Sequence, residues 1–188
     1  MSVSTNDFKN GMTLDLDGIL FQIVEFQHVK PGKGGAFVRS KLRNMKSGAV
    51  TEKTFNAGVK VGLAIVERRA MQYLYGDGTE YVFMDLETYE QVHVPPQVVG
   101  SASDYLTEGG EAQVASHQGT PIAVDLPASI ALTITKTDPG AKGDTRTGAM
   151  KRATLETGLV VNVPLFVEEG EKVKVDTRTG AYIERVKA

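Results

Sequence analysis

The stretch His28-Val29-Lys30-Pro31-Gly32-Lys33-Gly34-Gly35-Ala36-Phe37 reads as the turn of a β-hairpin with one lysine at its tip. Before it, Ile19 to Val29 is rich in β-branched and aromatic residues. After it, Phe37 to Arg43 alternates with period two. Two such runs joined by a short Gly-containing connection are a hairpin signal. Pro31 sets φ on the rising side, while Gly32, Gly34 and Gly35 admit the positive φ of a tight loop. With about six residues in the loop and ~3.3 Å per residue, the tip stands roughly 10 Å beyond the strand ends. The arrangement presents the Lys33 ammonium at a distance; the plainer alternative is a solvated turn. A nucleotide-binding P-loop does not fit. That motif needs Ser or Thr after the lysine and a helix after that, whereas Gly34 and a strand pattern follow Lys33.

Outward from the loop, Phe37, Arg39, Lys41 and Arg43 fall on one face of the returning strand and Val38, Ser40 and Leu42 on the other. A basic face with an aromatic at its loop end could follow an RNA backbone. It is also what the solvated side of a half-buried strand looks like. Asp17-Gly18, between Met12–Leu16 and Ile19–Val29, is a strong two-residue hairpin signal. Thr54-Phe55 and Val59 to Val66 add short strands, interrupted by Asn56-Ala57-Gly58. Short strands at this spacing predict a small barrel over residues 1–66.

A second segment, 67–128, repeats the pattern. Met71–Tyr75 and Glu80–Met84 bracket Gly76-Asp77-Gly78, and Gln113–Ser116 and Ile122–Leu126 flank Gln118–Pro121. Pro95-Pro96 breaks the strands, and Gln97 to Leu106 is expected to hold one short helix capped by Ser101 or Ser103. A third segment, 129–188, has strands at Ile130–Thr135, Leu155, Val160–Phe166, Val173–Val175 and Ala181–Val186, around a long polar connection from Asp138 to Gly148. Both segments suggest OB-like barrels.

The 188 residues include no cysteine, so disulfides and thiolate metal sites are excluded. His28, His93 and His117 are too scattered for metal-ligand spacing. No apolar run is long enough to span a bilayer, and Met1 to Gly11 lacks the apolar core of a signal peptide, so a cytoplasmic protein is expected. Asp15 and Asp17 read as turn carboxylates. No paired-carboxylate, nucleophile–base or metal constellation stands out, which argues against an enzyme. An enzyme using Lys33 as nucleophile would need a companion base and an apolar pocket. A general single-strand RNA binder would need exposed aromatics for stacking, and the chain has no Trp and only 7% aromatics.

The loop residues Lys30-Pro31-Gly32-Lys33-Gly34, with Ala36–Arg39 and Lys41–Asn44, resemble the bacterial translation elongation factor P family. The resemblance continues through Lys53–Phe55, Gln72–Tyr75, Phe83–Asp85, Asp138–Gly140, Gly143–Thr145, Ala153–Gly158 and Val173–Gly180, in order along the chain. It implies a KOW-type barrel followed by two OB-type barrels in an L-shaped, tRNA-like arrangement. It implies a monomer that binds the ribosome between the peptidyl and exit tRNA sites and relieves stalling at consecutive prolines. It implies that Lys33 reaches toward the end of the peptidyl-tRNA and is a site of covalent modification in some branches, with no cofactor otherwise. Gly35 stands where many members carry a larger residue or proline, and Arg152 where proline is common.

The net charge of −2 hides a division along the chain. Met1 to Arg69 holds 11 Lys+Arg against 6 Asp+Glu, a balance of +5. Ala70 to Thr135 holds no Lys or Arg and 9 Asp+Glu, a balance of −9. Lys136 to Ala188 holds 10 against 8, a balance of +2. A phosphate backbone attracts the outer segments and repels the middle one. The expectation is RNA contact through Arg39, Lys41 and Arg43 in the first segment and Lys142, Arg146, Lys151 and Arg152 in the third. The acidic middle segment would face solvent or a basic ribosomal protein.

Overall fold

The computed structural model describes residues 1–139 and 148–187. It is all-β apart from short helical turns, in three sheets. The first contains β1 (Ser2–Ser4), β2 (Thr13–Leu16), β3 (Ile19–Val29), β4 (Phe37–Asn44), β5 (Val50–Asn56) and β6 (Lys60–Ala64), in the order β1-β6-β2-β3-β4-β5. The second contains β7 (Glu67–Gly76), β8 (Tyr81–Asp85), β9 (Gln91–Val94), β10 (Glu111–His117) and β11 (Thr120–Asp125), in the order β11-β10-β7-β8-β9. The third contains β12 (Ser129–Thr137), β13 (Met150–Leu155), β14 (Val160–Pro164), β15 (Lys172–Asp176) and β16 (Tyr182–Arg185), in the order β14-β13-β12-β15-β16. The chain divides into two compact units: residues 1–68 with 114–123, and residues 69–113 with 124–188. No helix among the described residues is long and apolar enough to cross a membrane.

The turn chemistry read from sequence works as expected at Asp17-Gly18. Both residues have positive φ, 56° and 82°, as the tight turn between β2 and β3 requires. Asp15 accepts the Gly18 N–H at 2.8 Å, which is the turn role assigned to its carboxylate. The helical expectation needs correction. The helix is only Pro96–Val99, followed by a 3-10 turn over Gly100–Asp104. Its N-cap is Pro95, not Ser101 or Ser103, and Ser103 instead donates to the Gly100 carbonyl at 2.9 Å. The strands β1 and β9 were not anticipated; at three and four residues they are too short to show alternation.

In the first unit, Phe8, Leu14, Ile23, Val38, Leu42 and Phe55 form one buried cluster. Phe8 meets Phe26 and Phe55 edge-on, at 6.5 and 5.6 Å between ring centres. Gly62 on β6 lies between Ser2 and Asp15 in register. A Cβ there would stand 2.5 Å from the Asp15 carbonyl oxygen, so only glycine lets β6 and β2 approach. His117, at the end of β10, contacts the Ile65 carbonyl through Nδ1 at 2.8 Å. A carbonyl only accepts, so Nδ1 carries the proton.

In the second unit, Tyr105 belongs to the buried core of the third sheet, with Leu132, Ile134, Leu155, Val163 and Val173. Burial, with Asp104 and Asp176 nearby, pushes its phenol above the usual range. The turn after β15 closes over the same region. Thr177 donates its hydroxyl to Pro127 O at 2.6 Å and its N–H to Ala128 O at 3.1 Å. Asp176 accepts the N–H groups of Arg178 and Thr179, which hold its carboxyl below the usual range. The Asp176–Gly180 motif is therefore a clamp on the segment that leads into the third sheet.

Two stability measurements follow from this packing. Tyr105→Ala should lower unfolding free energy in urea by about 3–5 kcal/mol, the range for losing a buried aromatic. Gly62→Ala should cost about 1–3 kcal/mol through overpacking against backbone. Acid sensitivity is the third. The Thr79 hydroxyl, then the Glu80 and Thr79 N–H groups, lower Asp77 from 3.8 to about 2. A carboxyl depressed in the fold adds stability above its unfolded value and loses it as pH falls. Thermal midpoints should fall between about pH 4 and pH 2, and Asp77→Asn should flatten that part of the curve.

Candidate loop and basic strand face

Lys33 sits at the centre of the loop between β3 and β4, because the hairpin closes at the pair Val29 and Phe37. The connection is Lys30 to Ala36, one residue longer than the estimate from sequence. Lys30, Pro31, Gly32, Lys33, Gly34 and Gly35 are all exposed. Among the described residues Lys33 has no hydrogen bond or ion pair. An exposed ammonium with no internal partner keeps all three donors for an external acceptor.

The three glycines are not equivalent. Only Gly34 has positive φ, at 106°. A Cβ on Gly34 would lie 3.9 Å from the Pro31 ring, whereas Gly32 and Gly35 face open space. Pro31 and Gly34 thus oppose each other across the tip, and the backbone accepts a larger residue at Gly35. Hydrogen bonds hold the strand ends beside the arm. Thr5 ties it down by donating to Asn56 O at 3.0 Å and accepting the Gly58 N–H at 2.9 Å. Ala36 O accepts the Ala57 N–H at 2.9 Å.

Arg39, Lys41 and Arg43 share the exposed face of β4, with Val38, Ser40 and Leu42 buried behind them. The three cations do not have equal surroundings. A register shift between Ile23 and Glu25 brings Glu25 opposite Lys41, and Glu52 flanks it on β5. Glu25 accepts from Lys41 Nζ at 3.0 Å, and this hydrogen bond raises the lysine above its usual range. Arg39 lies between Gln27 and Thr54, and Arg43 between Gln22 and Val50, so both face neutral neighbours. The basic run seen in sequence is interrupted at its middle by acids from two other strands.

In the third sheet, Lys151 and Arg152 are adjacent in sequence but point to opposite faces of β13. Lys151 shares the face of buried Ala153 and Leu155; Arg152 is exposed. Lys142 and Arg146 lie outside the described residues. The side chains with the strongest claim on an acceptor are therefore Lys33, Arg39 and Arg43. In the acidic segment, Asp85 is buried and accepts the N–H groups of Glu87 and Thr88, with Arg69 Nη1 at 3.3 Å. That carboxylate is structural, while Glu87 and Glu90 are exposed.

Comparison with known proteins gives three family-model matches. Residues 4–61 match the Elongation factor P (EF-P) KOW-like domain, 66–124 the Elongation factor P (EF-P) OB domain, and 130–185 Elongation factor P, C-terminal. Elongation factor P of Frankia casuarinae is 61% identical over 97% of this chain and 98% of its own length. That of Acidothermus cellulolyticus is 63% identical over 97% of each. Among solved structures, "Eukaryotic translation initiation factor 5A from Methanococcus jannaschii" superposes with a TM-score of 0.55 at 29% identity. The match covers 66% of this chain and 93% of that one.

The loop geometry separates its glycines experimentally. Gly34→Ala should disturb the tip, since a left-handed conformation costs an L-residue about 1–2 kcal/mol. Gly32→Ala and Gly35→Ala should leave it intact. Backbone amide shifts and relaxation of residues 30–36 distinguish the outcomes; equal perturbation by all three variants would refute the distinct role of Gly34.

Proposed function

The chain belongs to the elongation factor P family of translation elongation factors, and on that premise we propose what its loop does. It binds the ribosome between the peptidyl and exit tRNA sites and promotes peptide-bond formation at consecutive prolines. The observation that carries this reading is the unpaired Lys33 ammonium at the tip of a two-stranded arm anchored in the first core. Proline is a poorly positioned partner in peptide-bond formation. Holding the end of the peptidyl-tRNA in a reactive geometry lowers the entropic part of the barrier. The ribosome does the chemistry; the factor supplies position and is not itself an enzyme.

Lys33 fits that task physically. An ammonium is a compact charge with three rotatable donors, suited to phosphate and ribose oxygens. Pro31 fixes its own φ on the rising side of the loop, so less entropy is lost on binding. The same exposure makes Lys33 available to a modifying enzyme that would lengthen its reach. Arg39 and Arg43 supply the phosphate contacts below it, with Lys41 contributing less because Glu25 and Glu52 offset its charge. Residues 1–66, 67–128 and 129–188 act as three barrels in this reading. The first and third meet ribosomal and transfer RNA in the cytoplasm, and the acidic second faces solvent or a basic ribosomal protein. Monomeric action follows, since each contact is made by a single chain.

Two experiments test the reading. Lys33→Ala should leave the thermal midpoint unchanged, because an exposed tip carries little core energy. It should slow synthesis through consecutive prolines while only partly weakening ribosome binding. Full activity of that variant would remove Lys33 from the mechanism. Replacing Arg39 and Arg43 with Gln should weaken ribosome affinity and make its salt dependence shallower. Lys41→Gln alone should have a smaller effect, and Glu87→Gln with Glu90→Gln should not change the salt slope.

A further inference from the structure

One end of the third sheet, where β14 stops, β15 starts and β16 stops, carries a group of side chains outside the loop and strand face. Phe166, in the turn after β14, is 62% exposed, although the next residue, Val167, is fully buried. The Arg185 guanidinium carbon lies 5.6 Å from the centre of the Phe166 ring. Arg185 also donates to Glu171 at 2.9 Å, so it is held in place. Next to it opens a cleft of about 690 Å³ lined by Gly170, Glu171, Lys172, Arg185, Val186 and Lys187. Lys172 and Lys187 form no ion pair among the described residues. Lys151 is close enough to help hold the Glu171 carboxyl below its usual range, after the Glu168 N–H and Arg185.

A cap over the end of the barrel would explain the Glu171–Arg185 pair. It does not explain an aromatic ring left mostly in water, nor two lysines in the adjoining cleft with no ion pair among the described residues. Two of the three carboxylates of the same turn are occupied, while the exposed Glu168 side chain has no partner among the described residues. Glu169 accepts the Thr137 N–H at 2.9 Å, and Glu171 accepts the Glu168 N–H at 2.9 Å as well as Arg185. An aromatic face steadied by arginine and flanked by lysines is the chemistry that binds single-stranded nucleic acid. Bases stack on the ring and phosphates meet the cations.

We propose that this end of the third sheet is a single-stranded RNA subsite: a base stacks on the open face of Phe166, and its flanking phosphates meet Lys172 and Lys187. The proposal rests on the RNA-binding reading above and adds to it a base contact far along the chain from Lys33. Stacking is tolerant of base identity, so the subsite selects unpaired RNA rather than a sequence.

The test uses the full chain and fluorescein-labelled hexaadenylate RNA, with binding followed by anisotropy at several salt concentrations. Phe166→Leu keeps apolar bulk and removes the ring. It should weaken binding about tenfold, within the range for one stacked base, without changing the salt slope. Lys172→Gln with Lys187→Gln should reduce the slope by about 1.4, the value for two single-strand phosphate contacts. Absence of hexaadenylate binding by the wild type, or equal binding by Phe166→Leu, overturns the proposal. So does a Phe166→Leu variant that loses ribosome affinity but keeps hexaadenylate affinity, since the surface would then meet a protein. Polyproline synthesis by the wild type and Lys33→Ala is read in parallel. Its loss or retention judges the role of Lys33 independently of the hexaadenylate result.

Discussion

The pairing of β3 with β4 is the constraint on which the rest of the first unit depends. Ile23 and Leu42 face each other in the core, and Val29 and Phe37 close the pairing at the loop. Between them, two strands carry the chain out of the core without a break other than the shift at Val24. That continuity makes Lys33 a directed group rather than a tethered one. A lysine on a loop of the same composition but with frayed strands beneath it would sample a wide volume, and ordering it would cost binding energy.

The same ladder decides which charges on β4 are available. Strand alternation puts Arg39, Lys41 and Arg43 on one side, but cross-strand neighbours determine their field. Lys41 meets Glu25, sixteen residues earlier in the chain, and Glu52 from the other side. Surface pairs of this kind add little stability. Their effect here is on distribution, since they divide a continuous basic stripe into two arginine positions.

The second unit is organised around Tyr105. Tyr105, in the connection between β9 and β10 of the second sheet, buries its ring among the residues of the third. The Asp176–Gly180 turn closes beside it, with a Cβ on Gly180 only 3.4 Å from the phenol oxygen. Thr177 adds its two hydrogen bonds to Pro127 and Ala128. The Thr177 hydrogen bonds thus hold the short linker between β11 and β12, and Tyr105 packs beside the turn that makes them. At the opposite end of the same strands lie the exposed Phe166 ring and the lysines of the adjoining cleft.

Much of this was legible in the sequence, for local reasons. Alternation marked β4 and β12, because a strand buried on one face must alternate, and β-branched and aromatic content marked β3. Positive-φ chemistry marked the Asp17-Gly18 turn, because few residue pairs tolerate it. The ordered motifs from Lys30 to Gly180 carried the family, and the tip position of Lys33 followed from the two runs flanking it. The tertiary structure decided what depends on partners distant along the chain. It made Gly34 alone among the loop's three glycines left-handed, because the loop path is set by where the strands close. It offset Lys41, because register places two acids beside it. It turned Lys151 inward and Arg152 outward, because β13 has one buried face. It left Phe166 in solvent under Arg185, although an apolar run such as Val160 to Phe166 gives no sign that its last residue escapes the core. Periodicity along a chain reports which face a residue takes; only folding determines what stands opposite that face.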